Sequence, residues 1–218
     1  MTKRGICFDL DGTLIDSLRD GIERVLRIAV IRELTVNIDV EQKLKNMWGI
    51  DPIEIINTLW PGEDFKEFFS DWELLDLREP HATFPGVKDA LEKLSPHFYI
   101  SILTNRRIFN TPAQLEKNDL TELFGIIVTP DNQGYKKPDP KIMEPIFKYY
   151  LSFGIMPQDV ILVGDTLEGD WKLAQAVGLE FYAVTSGDID IRNKFLAAGV
   201  PEDHIIDSVA NLADILLK

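Results

Sequence analysis

The chain has 218 residues, 45% hydrophobic and 27% charged, which is ordinary for a globular protein and enough for one domain or one domain with an insertion. Its net charge of −13 and pI near 4.6 exclude a nucleic-acid or anionic-membrane surface, and admit an anionic small molecule only where local cations overrule the field. The single cysteine, Cys7, excludes an intramolecular disulfide; with no apolar signal segment before Asp9 and no run of membrane-spanning length, the expectation is a cytoplasmic protein.

The first element lies in "GICFDLDGTLIDS", residues 5–17. Ile6, Cys7 and Phe8 form a short apolar run that predicts a buried strand, with Cys7 as core packing. Its tip carries Asp9 and Asp11, followed by Gly12 and Thr13. Two adjacent acids repel each other unless a cation or a shared proton lowers the charge. A strand running into an ordinary Asp-Gly turn would look the same, so the rest of the chain has to decide.

Residues 16–80 show helical spacing and no strand pattern, in "LRDGIERVLRIAVIREL", "DVEQKLKNMW", "PIEIINTLW" and "DFKEFFSDWELLDL". Ser17 followed by Asp20 resembles a capping box at the start of this unit. Pro80, Pro85 and Gly86 punctuate its far boundary. A helical insertion directly after a strand end rich in acids is a candidate lid.

From residue 86 onward helices and strands alternate. "VKDALEKL" (helix), "FYISILTN" (strand), residues 106–118 (helix) and "GIIVTP" (strand) come first. "DPKIMEPIFKYYLSF" (helix), "DVILVGD" (strand), "EGDWKLAQAVG" (helix) and "LEFYAVTSG" (strand) follow. "DIRNKFLAAG" (helix), "HIID" (strand) and "VANLADILLK" (helix) complete the series. The expected fold is α/β: a Rossmann-like parallel sheet with helices on both faces, made of residues 1–15 and 81–218, with residues 16–80 as an inserted helical cap. Right-handed crossovers bring the carboxyl ends of the strands to one edge, where open α/β sheets bind ligands.

Polar residues recur at those ends: Asp9 and Asp11, then Thr104 and Asn105, then Asp165 with Asp170 in the next turn. Lys137, in "YKKPDP", is held at the head of a helix. Asp9, Asp11, Asp165 and Asp170 offer hard oxygen ligands with no competing His or Cys cluster, which selects Mg²⁺ over zinc. A magnesium ion among acids, a lysine, a threonine and a glycine turn with free amides makes a receptor for phosphate.

"DLDGT", "LTN", "KKPDP" and "VGDTLEGD", in this order, resemble the four motifs of the haloacid dehalogenase superfamily. The helical insertion resembles the small cap of its phosphoglycolate phosphatase and β-phosphoglucomutase branches. The resemblance covers essentially the whole chain. It implies that Asp9 is the nucleophile that forms an aspartyl-phosphate, and that Asp11 protonates the leaving oxygen and then activates water. It also implies Mg²⁺ held by Asp9, Asp165 and the Asp11 backbone carbonyl, with Asp170 behind them. Thr104, Asn105, Lys137 and the backbone of Leu10 and Gly12 would bind phosphoryl oxygens. Carbon dehalogenases of the superfamily lack the second aspartate and the metal, so Asp11 argues for phosphate chemistry.

The function so implied is an Mg²⁺-dependent phosphatase of a small phosphorylated metabolite, phosphoglycolate phosphatase-like, as a monomer or homodimer. A sugar-phosphate mutase keeps the same motifs, and a phosphate-binding regulatory protein with little turnover is the alternative outside the enzymes. Specificity is expected in "KNMWGID", residues 45–51, where Lys45, Trp48 and Gly49 fall between two cap helices; in similar enzymes such a loop faces the phosphate site. As solvated side chains we expect Lys43, Lys45, Lys66, Arg106 and Arg107, with Arg106 placed to recruit an anion. Trp48, Trp60 and Trp72 are expected to pack the cap core, and His81, His97 and His204 to lie at turns or the surface.

Overall fold

The computed structural model describes residues 4–48, 52–186 and 188–218. The chain divides into two compact units: Met1–Asp16 with Ala82–Lys218, and Ser17–His81.

The first unit is built on a six-stranded parallel sheet. Strand β1 spans Arg4–Phe8. Helices α1 (Ser17–Ile31), α2 (Ile38–Met47), α3 (Pro52–Leu59) and α4 (Phe65–Arg78) belong to the second unit. The chain then continues through α5 (Val87–Leu94), β2 (Phe98–Leu103), α6 (Thr111–Lys117), β3 (Ile126–Val128) and α7 (Pro130–Gln133). After these come α8 (Glu144–Leu151), β4 (Val160–Gly164), α9 (Lys172–Val177), β5 (Glu180–Val184), α10 (Ile189–Ala197), β6 (Ile205–Ile206) and α11 (Leu212–Leu216).

The strand order β3-β2-β1-β4-β5-β6 is that of a doubly wound Rossmann-type sheet. The order reverses between β1 and β4, so the crevice for ligands opens beyond the ends of those two strands. Register is pinned there, with Phe8 opposite Ile102 on one side and Val163 on the other. Because side chains alternate along a strand, β1 sends Ile6 and Phe8 into one core and Cys7 into another. Helices α5 and α11 cover the first face; α8, α9 and α10 cover the second. Burial pushes the Cys7 thiol up to about 12, consistent with packing rather than reactivity. On the same face the Tyr150 hydroxyl donates to the Ile6 carbonyl at 2.8 Å and meets Ser101 Oγ at 2.7 Å.

Several helices are shorter than their periodicity suggests. The helix expected over 106–118 begins only at Thr111. The Arg106 amide donates to Thr104 Oγ1 at 3.0 Å and Thr111 Oγ1 donates to the Arg107 carbonyl at 2.8 Å, so local side-chain bonds hold this segment as turns. The helix expected from Asp139 opens with a 3-10 segment, Pro140–Met143. The one expected from Glu168 opens with a π turn, Leu167–Trp171.

In the helical unit, Ile22, Val25, Ile28, Leu44, Ile55, Trp60 and Phe68 form a third core, with Trp48 and Trp72 packed against it. Helix α1 starts at Ser17 itself, so Ser17 is its first turn rather than the cap before it. His81, expected at a turn or the surface, is instead fully buried in this unit. Its Nε2 lies 2.8 Å from Arg24 Nη1 and 3.0 Å from Asp76 Oδ1, and its Nδ1 lies 3.2 Å from Asp20 Oδ2. Polar partners on both ring nitrogens make that burial tolerable. His97 is exposed, and His204 stacks on Tyr182. Among the described residues no helix is long and apolar enough to cross a membrane.

Candidate active site

The site grows from the ends of β1 and β4. The Asp9 amide donates to the Val163 carbonyl at 2.9 Å, which carries the ladder one residue past the strand and fixes Asp9 beside β4. The chain then turns back, with the Leu14 and Ile15 amides donating to the Leu10 carbonyl at 2.9 and 3.0 Å. Gly12 lies at φ 72°, the left-handed region that costs glycine least. A Cβ there would collide with the Asp165 carboxylate, so conformation and close approach both require glycine. Thr13 Oγ1 donates to Asp165 Oδ1 at 3.2 Å.

Strand β4 ends at Gly164, where a Cβ would run into the Asp170 carboxyl. The π turn after it brings Asp170 back toward the strand end. Asp170 Oδ2 accepts from the Thr166 amide at 3.0 Å and from Thr166 Oγ1 at 2.6 Å. Lys137 enters between the acids, its Nζ 2.6 Å from Asp9 Oδ1 and 2.6 Å from Asp170 Oδ1.

Carboxylate oxygens of Asp9, Asp165 and Asp170 all lie within 4.8 Å of one another. Burial pushes Asp9 up to about 7; the Asp170 and Asp11 charges add to this, and Lys137 opposes it. Burial, followed by the charges of Asp9 and Asp170, drives Asp165 well above the usual carboxylate range. Burial also works against the Lys137 ammonium, but Asp170 and Asp9 outweigh it and keep the ammonium charged. Three crowded acids around one ammonium are short of positive charge. Hard oxygen donors at this spacing fit a divalent cation such as Mg²⁺.

Most strand-end residues read from the sequence meet here, with two changes of part. The Gly12 amide, expected as a phosphate donor, donates instead to the Ile15 carbonyl at 3.0 Å; closing its own turn occupies it, and its contribution is conformational. Asn105 Oδ1 accepts from the Lys137 amide at 2.9 Å, and its Nδ2 donates to the Lys137 carbonyl at 3.3 Å. Asn105 therefore holds the lysine's backbone. Thr104 is buried, and its Oγ1 accepts from the Arg106 amide, so its hydroxyl proton remains to be given. Leu10 is fully buried, and its carbonyl anchors the turn.

Arg106 departs furthest from expectation. Its side chain is only 9% exposed and grips Asp11: Nε donates to Oδ2 at 3.0 Å and Nη2 donates to Oδ1. Its place directly after Asn105 at a strand end was the available signal; its residue type alone reads as surface charge. Arg107 is exposed, as are Lys136 and Glu168, the latter paired with Lys172. Thr13 and Thr166, which orient Asp165 and Asp170, lie within "DLDGT" and "VGDTLEGD" but were not expected as site residues.

In the helical unit, Lys45 Nζ pairs with Glu41 Oε1 at 2.6 Å on an exposed face of α2. Trp48 packs on Trp72 with ring centroids 6.0 Å apart. Gly49 lies outside the described residues.

The family model for "Haloacid dehalogenase-like hydrolase" matches residues 6–184. The chain belongs to the haloacid dehalogenase-like hydrolases. It is 28% identical to the phosphoglycolate phosphatase of Aliivibrio fischeri over 196 residues, 84% of each chain. It is 29% identical to that of Photorhabdus laumondii over 199 residues, 84% of this chain and 81% of the relative. Among solved structures of haloacid dehalogenase (HAD) proteins, it shares its fold with YfnB of Bacillus subtilis, a magnesium-bound form, with TM-score 0.80, 18% identity and full coverage of both chains. A subfamily IA hydrolase of Geobacter sulfurreducens matches with TM-score 0.76 and 23% identity over 99% of this chain and 97% of that one.

Proposed function

We propose that this haloacid dehalogenase-like hydrolase is a magnesium-dependent phosphatase. It works in the cytoplasm on a small phosphorylated metabolite, through an aspartyl-phosphate on Asp9, with phosphoglycolate as the first candidate substrate. The observation that carries this reading is the Asp9 carboxylate, set 2.6 Å from Lys137 Nζ and within 4.8 Å of Asp165 and Asp170. The phosphatase names of the relatives support the substrate class.

Asp9, Asp165 and the Asp11 carbonyl would hold the metal, with Asp170 behind them. Bound there, Mg²⁺ supplies positive charge to the crowded carboxylates and to the phosphoryl oxygens. Lys137 Nζ and Thr104 Oγ1 donate to phosphoryl oxygens and turn phosphorus toward Asp9. An Asp9 oxygen bonds to phosphorus as the ester P–O bond breaks, and Asp11 gives its proton to the leaving oxygen. Asp11 then takes a proton from water as the water oxygen attacks phosphorus, releasing phosphate and restoring Asp9. Asn105 keeps Lys137 in place through both steps. Residues 16–80 are, on this reading, the helical cap of the enzyme.

The test is phosphate release from phosphoglycolate and from an aryl phosphate, with Mg²⁺ and with chelator, by wild type and Asp9→Asn. Turnover should fall by at least ~10³-fold on chelation and in the variant. Full activity in either case overturns the reading, and rearrangement of a sugar phosphate without net phosphate release points to a mutase.

A further inference from the structure

The Arg106–Asp11 pair sets a problem for the mechanism just described, and resolving it identifies a substrate group. This inference rests on the phosphatase reading. Both oxygens of the Asp11 carboxylate are taken by the Arg106 fork, Nε to Oδ2 at 3.0 Å and Nη2 to Oδ1. A carboxylate held on both oxygens by one planar fork is fixed in that orientation, so the pair has to open before Asp11 can turn toward a leaving oxygen. Opening it by exposure to water would leave a largely buried guanidinium, 9% exposed, without the partner it holds now. A second carboxylate would replace that partner with the same planar, two-bond geometry.

Placement decides which carboxylate. Asp11 serves the leaving oxygen, and Arg106 is hydrogen-bonded to Asp11, so the guanidinium stands on the leaving-group side of the ester. In phosphoglycolate one carbon separates the ester oxygen from a carboxylate, a spacing that matches two neighbouring groups in hydrogen-bond contact. We propose that Arg106 is the specificity-determining residue of this site: in the empty site it closes on Asp11, and on substrate entry it exchanges Asp11 for a carboxylate on the leaving group. Substrate binding and release of the acid are then one event. A phosphate ester without that carboxylate has to break the pair without replacing it.

The test compares phosphoglycolate with hydroxyethyl phosphate, which carries an alcohol in place of the carboxylate. The readout is the ratio of the two kcat/KM values for wild type, Arg106→Ala and Arg106→Lys, all with Mg²⁺ and all checked for an unaltered melting temperature. The ratio should fall about 30-fold in Arg106→Ala, the scale expected when hydrogen bonds to a charged group are lost. It should recover in part in Arg106→Lys, which keeps the charge without the fork. Equal losses for both esters overturn the proposal.

A second arm needs no turnover. Calorimetric titration of the two esters into Asp9→Asn, with and without Arg106→Ala, should show at least about tenfold weaker binding of phosphoglycolate alone. Equal binding of the two esters to Asp9→Asn also overturns it. If the wild type releases phosphate from neither ester, the phosphatase reading fails while titration still decides the ligand of Arg106. If it hydrolyses both without preference, the phosphatase reading stands and the proposal for Arg106 falls.

Discussion

In the helical unit the buried Arg24 guanidinium meets the buried Asp76 carboxylate at 2.7 Å and His81 at 2.8 Å, and a second Arg24 nitrogen donates to the Glu79 carbonyl. In the sheet unit the buried Lys137 ammonium faces Asp9 and Asp170 at 2.6 Å each, with Asp165 close by. The first set is complete: cation, anion and imidazole satisfy one another, which is what a protein needs to bury charge at all. The second set is short of positive charge, and burial, with the neighbouring carboxylate charges adding to it, pushes Asp9 and Asp165 upward. Balanced burial of charge marks structure, and unbalanced burial at a strand-end crevice marks chemistry.

The sharpest way to test the chemical half of that contrast is Asp11→Asn, since the mechanism assigns Asp11 two proton transfers. Single-turnover rates for an alkyl phosphate should fall by about 10²–10⁴-fold. An aryl phosphate, whose leaving group needs little protonation, should lose much less in the first step. Equal slowing of both esters at the phosphoryl-transfer step would remove the general-acid assignment.

The same strand that leads into Asp9 and Asp11 carries a buried thiol two residues before Asp9, and its titration is a separate test. Burial raises Cys7 from 9.0 to about 12. Near pH 8.5 its thiolate fraction is then about a thousandfold below that of the unfolded chain, and alkylation of native protein should be slower by at least that factor. Between pH 9 and 12 the unfolded chain ionises at Cys7 while the folded one does not, so this group's contribution to stability falls as pH rises. Rapid native alkylation near pH 8.5 would show that β1 opens far more readily than its burial implies.

The balanced half of the contrast predicts a stability effect. Asp76→Ala strands the Arg24 charge inside the helical unit, at about 3–5 kcal/mol, or a fall in Tm on the order of 10 °C. Urea and thermal unfolding measure it. A change under about 1 kcal/mol would mean that water reaches Arg24 once the carboxylate is gone.

How much of this was legible beforehand depended on the kind of signal. The alternation of apolar runs and helical spacing carried the parallel sheet, because period-2 and period-3.6 patterns are local. The acids at the ends of β1 and β4 were readable for the same reason: a strand tip is a place in the pattern. Helix starts were less so, since the segment before Thr111 is held by bonds from Thr104 and Thr111 that propensity does not encode. Arg106 and His81 were misplaced because pairing across 95 and 57 positions of sequence turns residues that are ordinarily solvated into buried ones. Gly12 and Asn105 were expected to bind phosphate, but their hydrogen bonds go to Ile15 and Lys137, which only the folded turn reveals.

The smallest expected effect concerns which unit reads the part of the substrate beyond phosphate. The sequence directs attention to Lys45 and Trp48, because a break between two helices beside a lysine looks like a recognition loop. In the structure Lys45 is engaged by Glu41 at 2.6 Å along the same helix, and Trp48 lies against Trp72, where a Cβ added at Gly21 would come within 2.6 Å of the Trp48 ring. One residue is therefore an exposed helix pair, and the other is packing. Exposed pairs of this kind contribute little, so Lys45→Ala should shift Tm by no more than about 2 °C. If Arg106 holds the substrate carboxylate, the ratio of kcat/KM for phosphoglycolate over hydroxyethyl phosphate should stay within about threefold of wild type in Lys45→Ala, because that bidentate contact is intact. A tenfold fall in that ratio with Tm unchanged would return carboxylate recognition to the helical unit and leave Arg106 as a partner of Asp11 alone.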